Sequence, residues 1–262
     1  MTTTTTTRTA PTAGADAAQR RSSFARVPAA FRLQFMVKTH FIHVPLLVFF
    51  SAWAIALGIG FWLDRVRAEG SWTAEDPFYA GASQAAVWCL AFMAAYAASH
   101  TFPFSMALSF SRRVFVLGAY LAFAAVSAAY GMAFFLVALL ERVTDGYGIH
   151  SYTFDLPFLT ESSGIAGAAV LAAALCLMVM LFGFGVVIMY QRMGLTWTWT
   201  VLIGIAVLVI LAAMLITSND GWPAVGRWFA DQTALSLAMW TLPVSLVVGC
   251  GGYVMIRRAT PA

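Results

Sequence analysis

The chain has 262 residues, 61% of them hydrophobic and 10% charged, with a mean hydropathy of +0.81. Soluble globular domains carry about a quarter charged residues, so this composition excludes that class and points to a membrane protein. The net charge of +4 does not call for nucleic acid as a partner, because the basic residues stand beside apolar runs, where membrane topology accounts for them.

Residues 1–23 hold a threonine run, alanines and almost no large apolar side chains, a composition expected to stay disordered. The first hydrophobic run begins near residue 41 and is too long for the core of a secretory signal, so it is expected to remain as a span. Between them, in 24–38, Phe24, Val27, Phe31 and Phe35 share one face at helical spacing, with Arg26 and Leu33 roughly opposite and Arg32 on a flank. That stripe reads either as an amphipathic helix lying in the membrane interface or as a basic linker that fixes topology.

Charge-free stretches then occupy 39–63, 77–111, 114–140, 162–191, 193–219 and 232–256. Each exceeds the ~20 residues a helix needs to cross ~30 Å of hydrocarbon. Runs apolar on every side, such as VLIGIAVLVILAAMLI, are helical rather than barrel-like. The expected fold is all-α, a polytopic domain over 39–258 with spans near 41–63, 79–101, 115–140, 164–189, 197–217 and 234–256, followed by a short tail, 259–262. Pro103 is expected to break the second helix and leave 103–113 as a separate cytoplasmic element. The connection Trp222–Asp231 is either a short helix dipping into the outer leaflet or a plain aromatic belt.

With the N-terminus inside, 11 of the 15 basic residues face the cytoplasm and ten of the 11 acids face outward. Six spans put both termini in the cytoplasm, and the cell membrane is the expected location. Asp, Glu, Lys and Arg are missing from every predicted span, which removes the usual ion-coupling device of a secondary carrier. Cys89, Cys176 and Cys250 are isolated, so neither a disulfide framework nor a metal cluster is expected. His40 and His43 lie at the start of the first span, His100 at the end of the second and His150 in an outer loop. His43 with His100 is the one pairing that suits haem, but a second pair for an electron path is missing, so no cofactor is expected. The lone lysine, Lys38, follows Val37, so no GxxxxGK[ST] nucleotide cradle exists, and neither GxSxG nor HExxH occurs: an enzyme reading has little support. In the fourth span the small residues Gly164, Ala168 and Gly183 suit close helix packing.

The segment PFSMALSFSRR remains. It sets Phe104, Ser105, Met106, Leu108 and Phe110 beside Arg112 and Arg113, too short for a domain and too apolar for a free loop; it is either a partner-covered face or the frayed end of the second span.

The six-span layout, the segment before span one and FPFSMALSFSRRVFVLGAYL resemble the membrane subunits of short, six-helix ABC exporters, as do VIMYQRMG and ALLERVTDG. The likeness runs from about residue 30 to the end. It implies a permease that works as a homodimer in the lipid bilayer, with two cytoplasmic ATPase subunits docked beneath. Phe104 to Arg113 would be the coupling helix, Gln191 to Gly194, with Arg192, the smaller contact, and Trp222–Asp231 the outer helix before span six. The Glu-Ala-Ala loop of importers is missing, which favours export. The competing readings are a stand-alone carrier and a haem-bearing electron-transfer subunit.

Overall fold

The computed structural model describes residues 25–36, 39–68 and 77–257. The expected tail 1–23, Phe24, Lys38 and the residues after Arg257 lie outside the described residues.

The chain is almost entirely helical. In order it forms α1 (Val27–Gln34), a π-helical turn (Thr39–His43), α2 (Val44–Ala68), β1 (Phe78–Tyr79), α3 (Ser83–Tyr96) and a second π-helical turn (Ala97–Thr101). Then follow α4 (Phe102–Ala107), α5 (Arg112–Val143), β2 (Ser151–Tyr152), α6 (Pro157–Thr160), α7 (Gly164–Ser218), α8 (Trp222–Ala230) and α9 (Ala234–Arg257). Among the described residues five helical stretches are long and apolar enough to cross a membrane: Phe41–Val66, Ser83–Ala107, Arg112–Val143, Gly164–Ser218 and Ala234–Arg257. This is the makeup of a polytopic membrane protein. The only departure from all-α among the described residues is the parallel pair β1–β2, in which Phe78 faces Ser151 and Tyr79 faces Tyr152.

The core lies where α7 packs against α3 and α5. Along α5, Phe115, Ala119, Phe123, Tyr130, Phe134 and Ala138 recur at helical spacing and are buried, whereas Leu117, Leu121, Met132 and Leu136 are exposed. A helix apolar all round has only one face for protein and leaves the rest for hydrocarbon, so the stripe is set by neighbours rather than by polarity. Phe123 is the hub of one aromatic cluster, with ring centroids 5.5 Å from Phe184 and 6.2 Å from Phe41. A second cluster joins Phe154 to Phe49 and Phe134 at 5.3 and 5.2 Å.

Three sequence expectations change. First, Pro103 does not break its helix. The second charge-free run stays helical from Ser83 through the π turn and α4, ending at Leu108, where Ser109 takes a left-handed φ of 59°. Pro103 sits in the first turn of α4, where a missing N–H costs little, and the widened π turn before it absorbs the misfit. Second, α1 docks on protein. Ala30 and Gln34 are buried, while Val27, Phe31 and Phe35 are half-buried. The contact is made at Gly118, where a Cβ would stand 2.6 Å from the Ala30 Cβ, so only a glycine lets the two backbones approach. Third, the helix α5 runs on to Val143, past the end of its charge-free run, and so takes in Glu141 and Arg142.

The helix α7 has 55 residues, about 80 Å at 1.5 Å per residue, more than twice a bilayer core. Its helical geometry fails once, at Gly194, with φ 78° and ψ 176°. One cavity beside α9 is lined by Phe182 and Met189 from before this point and by Val201 and Ile205 from after it, so the chain turns back on itself there. Of the small residues before the turn, Ala168 is buried and Gly183 lies against the Ala91 carbonyl, whereas no neighbour stands within 4 Å of where a Cβ at Gly164 would be.

Candidate functional site

The described charges collect at two ends of the bundle. At the basic end are Arg26, Arg32, Arg112, Arg113, Arg192 and Arg257; at the acidic end are Glu141, Asp145, Asp155, Glu161, Asp220 and Asp231, with Asp64 and four arginines, Arg65, Arg67, Arg142 and Arg227, among them.

At the basic end, the residues singled out from sequence do not all share one open surface. Phe104 and Leu108 are the exposed pair, 47% and 43%, one helical turn apart. Ser105 is buried, its hydroxyl donating to the Phe102 carbonyl at 2.7 Å, and Met106 turns half inward against the core. Phe110 is half-buried under the Arg26 guanidinium, which stands 4.8 Å from the ring centroid and donates to the Ser109 carbonyl at 3.3 Å. Ser111 caps α5, its hydroxyl accepting from Val114 N–H. Arg112 donates to the Arg257 carbonyl at 3.0 Å and Arg113 to the Tyr253 hydroxyl at 2.9 Å. Both therefore tie the start of α5 to the last turn of α9, where cations also suit the helix C-terminus. Gln191 donates to the Ala98 carbonyl at 3.1 Å, and Arg192 is exposed. That bond brings the Gln191–Gly194 turn to the π turn just above α4, so the two segments singled out separately in the sequence are neighbours.

His43 is exposed. His100 is exposed, stacked on Tyr96 with centroids 4.1 Å apart, and its Nδ1 lies 2.7 Å from the Ser99 hydroxyl. Cys89, Cys176 and Cys250 are free thiols.

The acidic end holds what sequence reasoning missed. Glu141 is 0% exposed, and one carboxylate oxygen accepts three backbone N–H bonds, from Thr153 at 3.0 Å, Phe154 at 2.8 Å and Asp155 at 2.9 Å. Among the described residues no hydrogen bond within 3.5 Å reaches the other oxygen, although the Tyr147 phenol lies close enough to feel this carboxylate. Next to it Arg142 reaches Asp155 through two bonds, 2.8 and 2.6 Å, and Thr160 donates to the same carboxylate at 2.8 Å. The connection after α5 thereby folds back as a cap, driving Phe154 between Phe49 and Phe134. Trp53 of α2 donates to the Tyr147 hydroxyl at 3.1 Å. Burial, and then the negative charge of Glu141, push the Tyr147 phenol up to about 12. Tyr152 is also pushed up to about 12, by burial and then by the bond its hydroxyl donates to Asp145 at 2.7 Å. The signal for this clamp was the run ALLER, where the acid follows the last apolar residue directly; its partners lie 12 to 14 positions on, out of reach of any local pattern.

Between α7 and α9, α8 buries none of its residues, and its Trp228 packs edge-on against Phe229 and against Trp240 of α9.

Compared with known proteins, the chain matches no family model, no curated protein and no solved structure.

Proposed function

We propose that this chain is the transmembrane subunit of an ATP-driven exporter, energised by separate ATPase subunits that dock on its basic end. The observation that carries the reading is the juxtaposition there: the exposed Phe104 and Leu108 pair on α4, with the Gln191–Gly194 turn fastened to the adjacent π turn through Ala98. An apolar pair at a charged, water-facing end calls for a cover, and the chain carries no nucleotide-binding motif of its own. The resemblance of FPFSMALSFSRR to an exporter coupling segment supports the same assignment. In this reading α7 counts as two spans meeting at Gly194, giving six, with the basic end and both termini in the cytoplasm. Two copies pair to line the pathway, and the rigid ties of Arg112 and Arg113 to α9 pass motion at the docking face into the last helix. Phe104→Asp with Leu108→Asp should abolish co-purification with an ABC ATPase subunit while the permease still folds. Undiminished association and ATP-dependent export would overturn the assignment.

A second reading, a stand-alone carrier, is favoured by Glu141, a wholly buried carboxylate at the end of a span, one of whose oxygens accepts no hydrogen bond among the described residues. Purified protein reconstituted alone decides between them. Solute uptake driven by a proton gradient and lost in Glu141→Gln supports the carrier; transport only with ATP and an ATPase supports the exporter.

A further inference from the structure

The cap at the acidic end encloses an open cavity of about 570 Å³, outside the core and away from the proposed docking face. Its walls include Tyr79, Tyr152, Arg142, Asp155, His150 and Glu161. These side chains come from three separate stretches of sequence, brought together by the β1–β2 pairing and by the backbone that Glu141 holds.

Charge accounting narrows what such a cavity takes. Arg142 and Asp155 neutralise one another through two hydrogen bonds, with Asp155 only 9% exposed. The His150 Nδ1 stands 3.4 Å from an Asp145 carboxylate oxygen, so that ring is paired with an acid. The Glu161 carboxylate is exposed and has no hydrogen bond or ion pair among the described residues. Among the described residues that line the cavity, it is the uncompensated charge. Opposite charge selection, a site for anions, would need a free guanidinium, and the one present is engaged.

The aromatic wall agrees. The Tyr79 and Tyr152 rings lie 6.1 Å apart, tilted by 32°, and Tyr79 is half exposed. The Tyr152 hydroxyl donates to a carboxylate oxygen of Asp145, which pushes electron density into its ring and strengthens the attraction of the ring face for a cation. Two electron-rich rings and one free carboxylate around a single cavity form a recognition set for a substituted ammonium group, whose spread charge suits aromatic faces better than a fully hydrated ion does.

We infer that this cavity binds a substituted ammonium group, held between the Tyr79 and Tyr152 rings and the Glu161 carboxylate. The group belongs either to a soluble organic amine or to the amino headgroup of a lipid in the adjoining leaflet. The inference is independent of the export reading, because it concerns equilibrium binding without nucleotide or partner.

The test uses the full chain in phosphatidylglycerol nanodiscs, titrated with benzyltrimethylammonium and with its uncharged isostere neopentylbenzene. The ammonium should bind about tenfold tighter than the isostere, and Glu161→Gln or Tyr79→Leu should each remove most of that preference. Equal binding of charged and uncharged probes, or a Glu161→Gln variant that keeps full preference, overturns the inference. Should Tyr79→Leu loosen the cap, seen as a lowered melting temperature, the Glu161→Gln result alone decides, since that carboxylate holds no other described residue. Repeating the titration with phosphatidylethanolamine in the discs distinguishes the sources: weakened probe binding assigns the site to a lipid headgroup, and unchanged binding to a soluble amine.

Discussion

The two ends of this bundle are held together by different chemistry. At the basic end, arginines on short tethers reach single carbonyls and hydroxyls, mostly in exposed positions, and a phenylalanine and a leucine are left open. At the acidic end, one buried carboxylate gathers three amides, and an arginine–carboxylate pair braces it. Exposed charge–dipole contacts of the first kind contribute little each, whereas a buried acceptor with several donors is costly to disturb. The basic end therefore leaves an apolar pair uncovered, whereas the acidic end is braced from within by a buried acceptor.

The sharpest way to break this contrast is Glu141→Ala. It strands three buried N–H groups and should cost about 3 kcal/mol or more, read as a large fall in melting temperature in detergent. Glu141→Gln, which keeps an acceptor oxygen, should cost clearly less. If the two variants melt alike, the amide clamp is not what closes the cap. Next in size is Gly118→Leu, which places carbon where α1 backbone now lies. It should cost about 1–3 kcal/mol and open α1 to trypsin at Arg26 and Arg32. Unaltered proteolysis would show that α1 is not seated there.

A smaller effect comes from alkali. The Tyr147 and Tyr152 phenols are raised from 10.0 to about 12 in the folded chain, so the protonated form is the one the cap favours. Their contribution is complete below the unfolded value near 10 and is lost as pH climbs through about 12. Stability should decline over that window while phenolate absorbance grows, and Tyr147→Phe should remove part of the decline. The smallest effect on stability belongs to Phe104→Asp and Leu108→Asp, within about 0.5 kcal/mol each because both side chains are open to solvent. Their consequence lies in ATPase association, so a large loss of stability would place them in the core of the basic end instead of on its face.

Much of this was legible from residue order. The charge-free runs marked the helical stretches long and apolar enough to cross a membrane, because an unpaired charge in hydrocarbon is expensive and sequence alone shows where none occurs. A helix does occupy Trp222–Ala230, one of the two forms the sequence left open there. Pro103 misled, because the expected break rests on a local clash, whereas the π turn at Ala97–Thr101 relieves it upstream. The aromatic stripe on α1 identified a helix but not its seat: the buried residues are Ala30 and Gln34, chosen by the gap over Gly118 and not by their polarity. At the candidate docking face, the sequence picked nine residues, and the structure leaves Phe104 and Leu108 open while turning Ser105 and Met106 inward.

By itself the sequence determined that the chain is helical and that it carries several stretches long and apolar enough to cross a membrane. Those properties follow from hydropathy and spacing along one strand of residues. Only the tertiary structure decided that Glu141 is a buried clamp, that the Gln191–Gly194 turn adjoins α4, and that Tyr79, Tyr152 and Glu161 share a cavity. Each of these depends on partners brought together from distant positions, and hydrogen-bond satisfaction inside an apolar bundle is a property of the folded whole.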